Sequence, residues 1–147
     1  MDKEIKILIF SLNGEYYATD IIDVERILGH EIPTALPETP DFLEGVINYE
    51  KNILPLISLA KRFNFNGEIT NDSKIIVVKD NEFKIGIIVD NVYEVTDITS
   101  DRVEEPPSIG NSISKRYMKG LVRLGDKIII LLNLSNVLSE DEKSKIG

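Results

Sequence analysis

The side chains that could do chemistry are few in this sequence, and they form no recognisable catalytic pattern. The one histidine, His30, stands beside Glu31, and the chain of 147 residues has no cysteine. A zinc ribbon, a disulfide framework and a thiolate nucleophile are therefore excluded. We interpret His30 as a loop residue and not as an acid–base group or a metal ligand.

The acidic residues are numerous but equally unspecific. Asp97, Asp101 and Glu104 form an oxygen-rich stretch, yet it lacks the spacing of an EF-hand calcium loop. The glycines show neither of the two common glycine-rich patterns that hold nucleotide phosphates, and no serine stands in a nucleophile elbow. The sequence therefore predicts a protein that is not an enzyme and that uses no metal or cofactor.

The charge balance narrows the class of partner. With 25 acidic and 17 basic residues, the chain carries a net charge of -8 at pH 7. This charge disfavours binding to nucleic acid and to anionic membranes, because both rely on lysine and arginine. The apolar run at residues 128–132 is too short to span a membrane, and no signal-peptide pattern follows the acidic start. We therefore predict a cytoplasmic protein, without direct membrane insertion, that presents its surface to protein partners.

Four pairs of strand-like segments predict a mainly β fold. The first pair, Lys6–Leu12 and Glu15–Thr19, flanks Asn13-Gly14, and both turn residues tolerate the positive φ of a type I′ hairpin. The other pairs are residues 45–49 with 53–57, 74–79 with 82–89, and 120–124 with 127–132. Helical patterns are short: a first helix after Asp20, one turn at residues 59–63, and a C-terminal helix at residues 135–143.

A weak internal repeat organises these hairpins. At an offset of 75 residues, residues 44–63 match residues 119–138 without a gap, which places Gly45 on Gly120. We therefore predict two β subdomains of about five strands each. Because halves of this size bury little surface alone, they should share one hydrophobic core.

The first hairpin repeats at a different offset. Lys6–Phe10 matches Lys74–Val78 at an offset of 68 residues, so the second copy starts near residue 72. The change of offset fits an insertion in the second copy, around Glu104–Ser114. An exchange of strands between the subdomains is compatible with this pattern. Residues 139–147 are mostly charged and are predicted to be a frayed C-terminal tail.

Several segments, taken in order, resemble the CheW family of bacterial chemotaxis coupling proteins. Phe10–Val24 resembles the family's opening hairpin and helix, and Gly86–Val95 resembles its stretch G-I-V-V-D-x-V-x-x-V. The remaining similar segments are Phe42–Asn48 with Ile53–Ile57, Pro106-Pro107 with Tyr117–Leu121, and Leu124–Leu134. The similarity extends from about Lys6 to Leu138, nearly the whole chain.

The resemblance implies a fold and a function. The implied fold is a single domain over residues 1–147, made of two SH3-like five-stranded β barrels that share a hydrophobic core, with a few short helices. The implied function is that of a non-catalytic adaptor between methyl-accepting chemotaxis receptors and the histidine kinase CheA. Its partners would be the regulatory domain of a CheA-type kinase and the cytoplasmic tips of receptors, so it would be recruited to membrane-associated receptor arrays. Two alternatives stay open: a CheW-like regulatory domain of a CheA-type kinase, and an unrelated small β-barrel protein that binds a ligand.

The resemblance also implies where partners bind. The matched positions are Val24 and Arg26, which we place on the first helix, together with Gly45, Glu50, Gly86 and Val95. Each has an alternative role: the valines and glycines in packing, and the charged pair as solvated surface.

The chain departs from the family pattern at two of these segments. Glu50-Lys51 stands in a turn where the family usually has Arg-Gly, and Ser58 stands where it usually has Asp. Since the turn arginine is associated with partner binding in the family, Glu50 reverses a charge at a predicted contact.

Overall fold

Two β sheets make up most of the molecule in the computed structural model, which describes residues 3–66, 68–106 and 117–146. The strands are β1 (Glu4–Leu12), β2 (Glu15–Asp20), β3 (Val24–Leu28), β4 (Leu43–Tyr49), β5 (Asn52–Ser58), β6 (Lys74–Asp80), β7 (Phe83–Val89), β8 (Asn91–Thr99), β9 (Val103–Glu104), β10 (Met118–Leu124) and β11 (Lys127–Leu132). The helices are α1 (Leu59–Arg62) and α2 (Glu140–Ile146), with 3₁₀ turns at Ile21–Asp23, Ser100–Arg102 and Leu134–Asn136. All four predicted hairpins are present, as β1–β2, β4–β5, β6–β7 and β10–β11.

Each sheet contains strands from both halves of the chain. The β1 sheet has the order β8-β1-β2-β11-β10-β9, and the β6 sheet has the order β3-β6-β7-β5-β4. The two parallel strand pairs correspond in the repeat, since Leu131 lies opposite Ala18 and Leu56 lies opposite Gly86. The first hairpin of each half thus completes the sheet of the other half, and neither sheet can form from one half alone.

The repeat extends to irregularities in the strand pairing. The register shifts beside Gly45 in the β4–β5 pair and beside Gly120 in the β10–β11 pair, so these glycines are equivalent, as the sequence predicts. The β1 sheet has six strands and not five because β9 pairs with β10 over two residues. Its counterpart in the β6 sheet is an isolated bridge between Thr34 and Val46. The predicted insertion around Glu104–Ser114 lies largely outside the described residues.

Three hydrophobic clusters hold the sheets together. One lies within the β1 sheet, one within the β6 sheet, and the third and largest between them. Alternate residues of Ile7–Phe10 and of Ile75–Val78 belong to different clusters, because successive strand residues point to opposite faces. Burial on both faces explains why these segments are apolar without alternation, and the third cluster is the predicted shared core.

The predicted first helix is wrong. The Asp20 carboxylate accepts a hydrogen bond from the Ile22 amide at 3.1 Å, as an N-cap does, but the helical turn ends at Asp23. Val24–Leu28 then forms strand β3, paired with β6. Val24 and Arg26 therefore lie on a strand. Pairing with β6 supplies the backbone partners that a short isolated helix lacks, and the β-branched residues of the segment favour the strand.

The C-terminal residues also differ from the predicted frayed tail, because Glu140–Ile146 forms α2. Arg62 donates to both carboxylate oxygens of Glu142, at 3.1 and 2.9 Å, and to the Val137 carbonyl at 2.8 Å. Lys143 is buried and lies 2.6 Å from an Asp80 oxygen. Two ion pairs that join distant parts of the chain therefore hold this helix in place.

The departure at Ser58 has a structural explanation. Ser58 is buried and is the N-cap of α1, where its Oγ accepts a hydrogen bond from the Lys61 amide at 3.2 Å. Serine and aspartate are both strong N-cap residues. The exchange of Asp for Ser therefore preserves the capping interaction.

Candidate functional site

Charged residues of β3 meet the turn between β4 and β5 around the ring of Tyr49. The pairing of β3 with β6 shifts between Val24 and Arg26, so Glu25 is an extra residue in a β-bulge. This bulge lets two consecutive side chains reach the same ring. The Tyr49 hydroxyl donates to the Glu25 carboxylate at 2.6 Å, and the Arg26 guanidinium carbon lies 5.7 Å from the ring centroid.

Tyr49 is fixed in place by charged neighbours and by burial. The Lys84 ammonium lies 2.9 Å from the Glu25 carboxylate and 5.9 Å from the Tyr49 ring centroid. Burial, together with the hydrogen bond to Glu25, raises the pKa of Tyr49 to about 12. The hydrogen bonds that Tyr49 and Lys84 donate lower the pKa of Glu25 below its ordinary 4.5. Tyr49 is therefore neutral at physiological pH, and its buried ring is held by these contacts.

Tyr49→Phe should lower the free energy of unfolding by roughly 1–2 kcal/mol at neutral pH, because Glu25 loses a hydrogen bond. The lowered pKa of Glu25 means that this stabilisation is present above 4.5 and is lost as pH falls through the folded-state value. Urea unfolding of wild type and variant across acidic pH should therefore show a difference that shrinks below pH 4.5.

The control for this variant is Tyr93→Phe. The Tyr93 hydroxyl donates to Ser11 Oγ at 3.3 Å and has no carboxylate partner among the described residues. Its effect on stability should not vary with acidic pH. A loss at Tyr49 that does not vary with acidic pH would contradict the prediction, because the contribution of the hydroxyl would then not depend on the Glu25 carboxylate.

Glu50 forms an ion pair with Arg26 above this ring. The Arg26 Nη2 and Glu50 Oε2 atoms lie 3.5 Å apart, and the two side chains are 54% and 49% exposed. An exposed pair of this kind contributes roughly 0–1 kcal/mol to stability. The negative charge of Glu50, which stands where the family usually has arginine, is thus paired with the positive charge of Arg26.

An exposed groove of about 560 Å³ runs beside the turn. Its lining includes Leu36, Tyr49, Glu50, Ile53 and Phe83. Ile53 is 71% exposed and Leu36 is 44% exposed. Exposed apolar side chains next to charged ones are typical of a protein–protein interface.

The other predicted site residues lie apart from this cluster. Gly45 and Gly86 are buried, and a Cβ at either position would meet a neighbouring atom at 2.2 or 2.5 Å, so the geometry supports a packing role. Val24 is half-buried against the shared core. Val95 is 48% exposed on β8 of the other sheet.

Arg26 and Glu50 are thus the two predicted residues that the structure brings together. Sequence reasoning missed Glu25, Tyr49 and Lys84 as parts of the site. Only the position of Tyr49 before the turn was visible in the sequence, because a β-bulge leaves no local pattern.

Two features are absent from the part of the chain that the structure describes: a cluster of potential metal ligands and a helix that could span a membrane. Within residues 3–66, 68–106 and 117–146, no group of three or more His, Cys, Asp or Glu side chains is arranged to hold a metal ion. No helix in the same ranges is long and apolar enough to cross a membrane.

Nearly the whole chain is similar to known proteins. The model of the CheW-like domain family matches residues 6–142. This chain belongs to the CheW family. Chemotaxis protein CheW of Klebsiella aerogenes is 31% identical over 140 residues, which cover 95% of this chain and 84% of that protein. Chemotaxis protein CheW of Treponema pallidum is 29% identical over 152 residues, which cover 99% of this chain and 89% of that protein.

A solved structure agrees with the fold. The crystal structure of the scaffolding protein TtCheW from Thermoanaerobacter tengcongensis is 37% identical, with a TM-score of 0.85, and the match covers 95% of this chain and 96% of that one. The predicted mainly β fold with two SH3-like subdomains is thereby confirmed. So is the predicted role as a chemotaxis scaffold protein, which excludes the unrelated ligand-binding barrel. The CheW family is a family of non-catalytic scaffolds.

Proposed function

We propose that this CheW-family chain couples methyl-accepting chemotaxis receptors to a CheA-type histidine kinase. The observation that carries the proposal is the agreement with CheW scaffolds along nearly the whole chain, in both sequence and fold. The adaptor would act in the cytoplasm, where receptor tips recruit it to membrane-associated arrays. It needs no catalytic group for this role, because its effect comes from holding two partners together.

The turn between β4 and β5 supports a kinase contact. Glu50 and Arg26 are half-exposed, and the groove beside them presents Ile53 and Leu36. The regulatory domain of the kinase would cover this groove with an apolar centre and a polar rim. We expect a modest interface, on the order of 1,000–1,600 Å² in total.

The face of strand β3 that carries Val24 and Ile27 supports a contact with the receptor. Val24 and Ile27 pair with Val78 and Ile76, which both belong to the shared core, so the two side chains lie on one face of the strand. Val24 packs partly against that core, whereas Ile27 is 41% exposed. A charge at Val24 would therefore test folding, and Ile27 is the position that tests binding.

Ile27→Asp should weaken binding of a receptor tip fragment by more than about tenfold, since a buried unpaired carboxylate is costly. Binding of a CheA regulatory domain should be unchanged. Calorimetric titration of wild type and variant with each partner, at equal thermal stability, measures both effects. The proposed function fails if wild type binds neither partner. If wild type binds both and the variant binds both equally well, the receptor contact lies elsewhere.

A further inference from the structure

We propose that the Arg26–Glu50 pair acts as a unit that selects partners by the positions of the positive and negative charges on their surfaces. The pair presents a cation from strand β3 and an anion from the β4–β5 turn. Given the proposed function, this chain would select regulatory domains that place a carboxylate opposite Arg26 and a cation opposite Glu50. An apolar partner side chain would enter the adjoining groove beside Ile53.

Arg26 keeps most of its binding capacity for a partner. Its contact with Glu50 is a single one, from Nη2 to Oε2 at 3.5 Å, and not a bidentate pair. Glu50 is its one ion-pair partner within the part of the chain that the structure describes. A guanidinium has five N–H donors in a planar fork, so donors remain for a partner carboxylate.

The fork is also held ready for binding. The Arg26 guanidinium lies over Tyr49, whose hydroxyl is bonded to Glu25, which in turn is paired with Lys84. A side chain already held on a fixed platform loses little conformational entropy when it binds. Arginine and tyrosine are also the residue types most common among interface residues with large energetic effects.

Partner selection depends on which position carries which charge more than on the net charge of the pair. The pair is neutral, so it attracts no partner over long distances. At contact, however, a partner surface with a carboxylate opposite Arg26 and a cation opposite Glu50 gains two attractions. A partner with the reverse order meets two repulsions, and like charges at an interface suppress the wrong partner.

The repeat supplies a control position. Val24 on β3 pairs with Val78, and its counterpart Val92 on β8 pairs with Phe10, so the position equivalent to Arg26 is Glu94. Glu94 is exposed at the edge of the β1 sheet. The position equivalent to Glu50 is Gly125, which carries no charge. Glu94→Gln therefore changes one charge at the same place in the other subdomain.

The decisive variant is the exchange Arg26→Glu with Glu50→Arg, which keeps both the net charge and the ion pair. Its affinity is measured by calorimetry against the isolated regulatory domain of a CheA-type kinase that binds wild type, at low and at high salt. We expect Arg26→Gln and Glu50→Gln each to weaken binding roughly fivefold, and the exchange to weaken it by more than about 30-fold. Glu94→Gln should bind like wild type. Thermal unfolding of all four variants should stay close to wild type, because Arg26 and Glu50 are half-exposed and Glu94 is exposed.

Two results would overturn the inference. If the variant with the exchanged pair binds like wild type, the pair only stabilises the turn, and the affinity does not depend on which position carries which charge. If the exchange unfolds the chain, the single substitutions decide, and unchanged affinity in both contradicts the proposal. Absence of binding by wild type to any regulatory domain is a different outcome, since it defeats the proposed function itself.

Discussion

Gly45→Ala should lower the free energy of unfolding by about 3–5 kcal/mol, from a single added methyl group. Gly45 has a φ of 143°, which side chains rarely adopt, and its Cβ would lie 2.2 Å from the Thr34 carbonyl oxygen. That oxygen cannot move away easily, because Thr34 exchanges two backbone hydrogen bonds with Val46, at 2.8 and 2.9 Å. Strain and overlap therefore add at one position, and urea unfolding followed by circular dichroism measures the sum.

Two glycines separate these causes. Gly125 has a φ of 64°, but a Cβ added there would have no neighbouring atom within 4 Å, so Gly125→Ala should cost only about 1–2 kcal/mol. Gly120, the repeat counterpart of Gly45, has no positive φ, but its Cβ would lie 2.7 Å from the Glu104 carbonyl oxygen. Gly120→Ala should give an intermediate loss. Equal losses at Gly45 and Gly125 would mean that Thr34 is not fixed against the strand.

Ile76→Ala should cost about 3–4 kcal/mol and should leave a single unfolding transition. Ile76 is fully buried in the shared core on β6. Because each half contributes a hairpin to the other sheet, a cavity in the shared core destabilises both sheets at once. Two probes, circular dichroism for the strands and fluorescence for the tyrosines of both sheets and of the shared core, should therefore report the same midpoint.

Ile53→Ala is the control for the core substitution. Ile53 is 71% exposed beside the turn, and its loss should change stability by less than about 0.5 kcal/mol. Separate midpoints for the two probes in Ile76→Ala would contradict the interlocked arrangement, because they would show that part of the structure survives when the rest has unfolded.

The turn at Glu50-Lys51 shows how the structure refines a comparison of sequences. Both residues have positive φ, at 49° and 67°, so a glycine in place of Lys51 would relieve backbone strain as well as change the charge. The Glu50→Arg change would bring a second guanidinium next to Arg26. Restoring the usual family turn therefore removes an ion pair while relaxing the backbone, and partner choice and stability must be measured separately.

The hairpins, the internal repeat and the family could all be predicted from the amino-acid sequence alone. Asn13-Gly14 predicts its turn because positive φ is a local preference of these two residues. The match of Gly45 to Gly120 survives in the structure because a close backbone approach at both positions admits no side chain. Such signals are readable from a sequence because they depend on neighbouring residues or on repeated patterns.

Three features became apparent only in the three-dimensional structure: the exchange of hairpins, the strand at Val24–Leu28 and the cluster around Tyr49. Asp20 favours a helix through its local capping preference. The residues after Asp23 instead pair with the edge of β6, because each paired residue gains a backbone hydrogen-bond partner in a buried sheet. The Glu25 bulge, which brings Arg26 to Tyr49 and Glu50, arises from the same pairing. Interactions between residues far apart in the chain leave no local pattern, since their energy exists only once the sheets have formed.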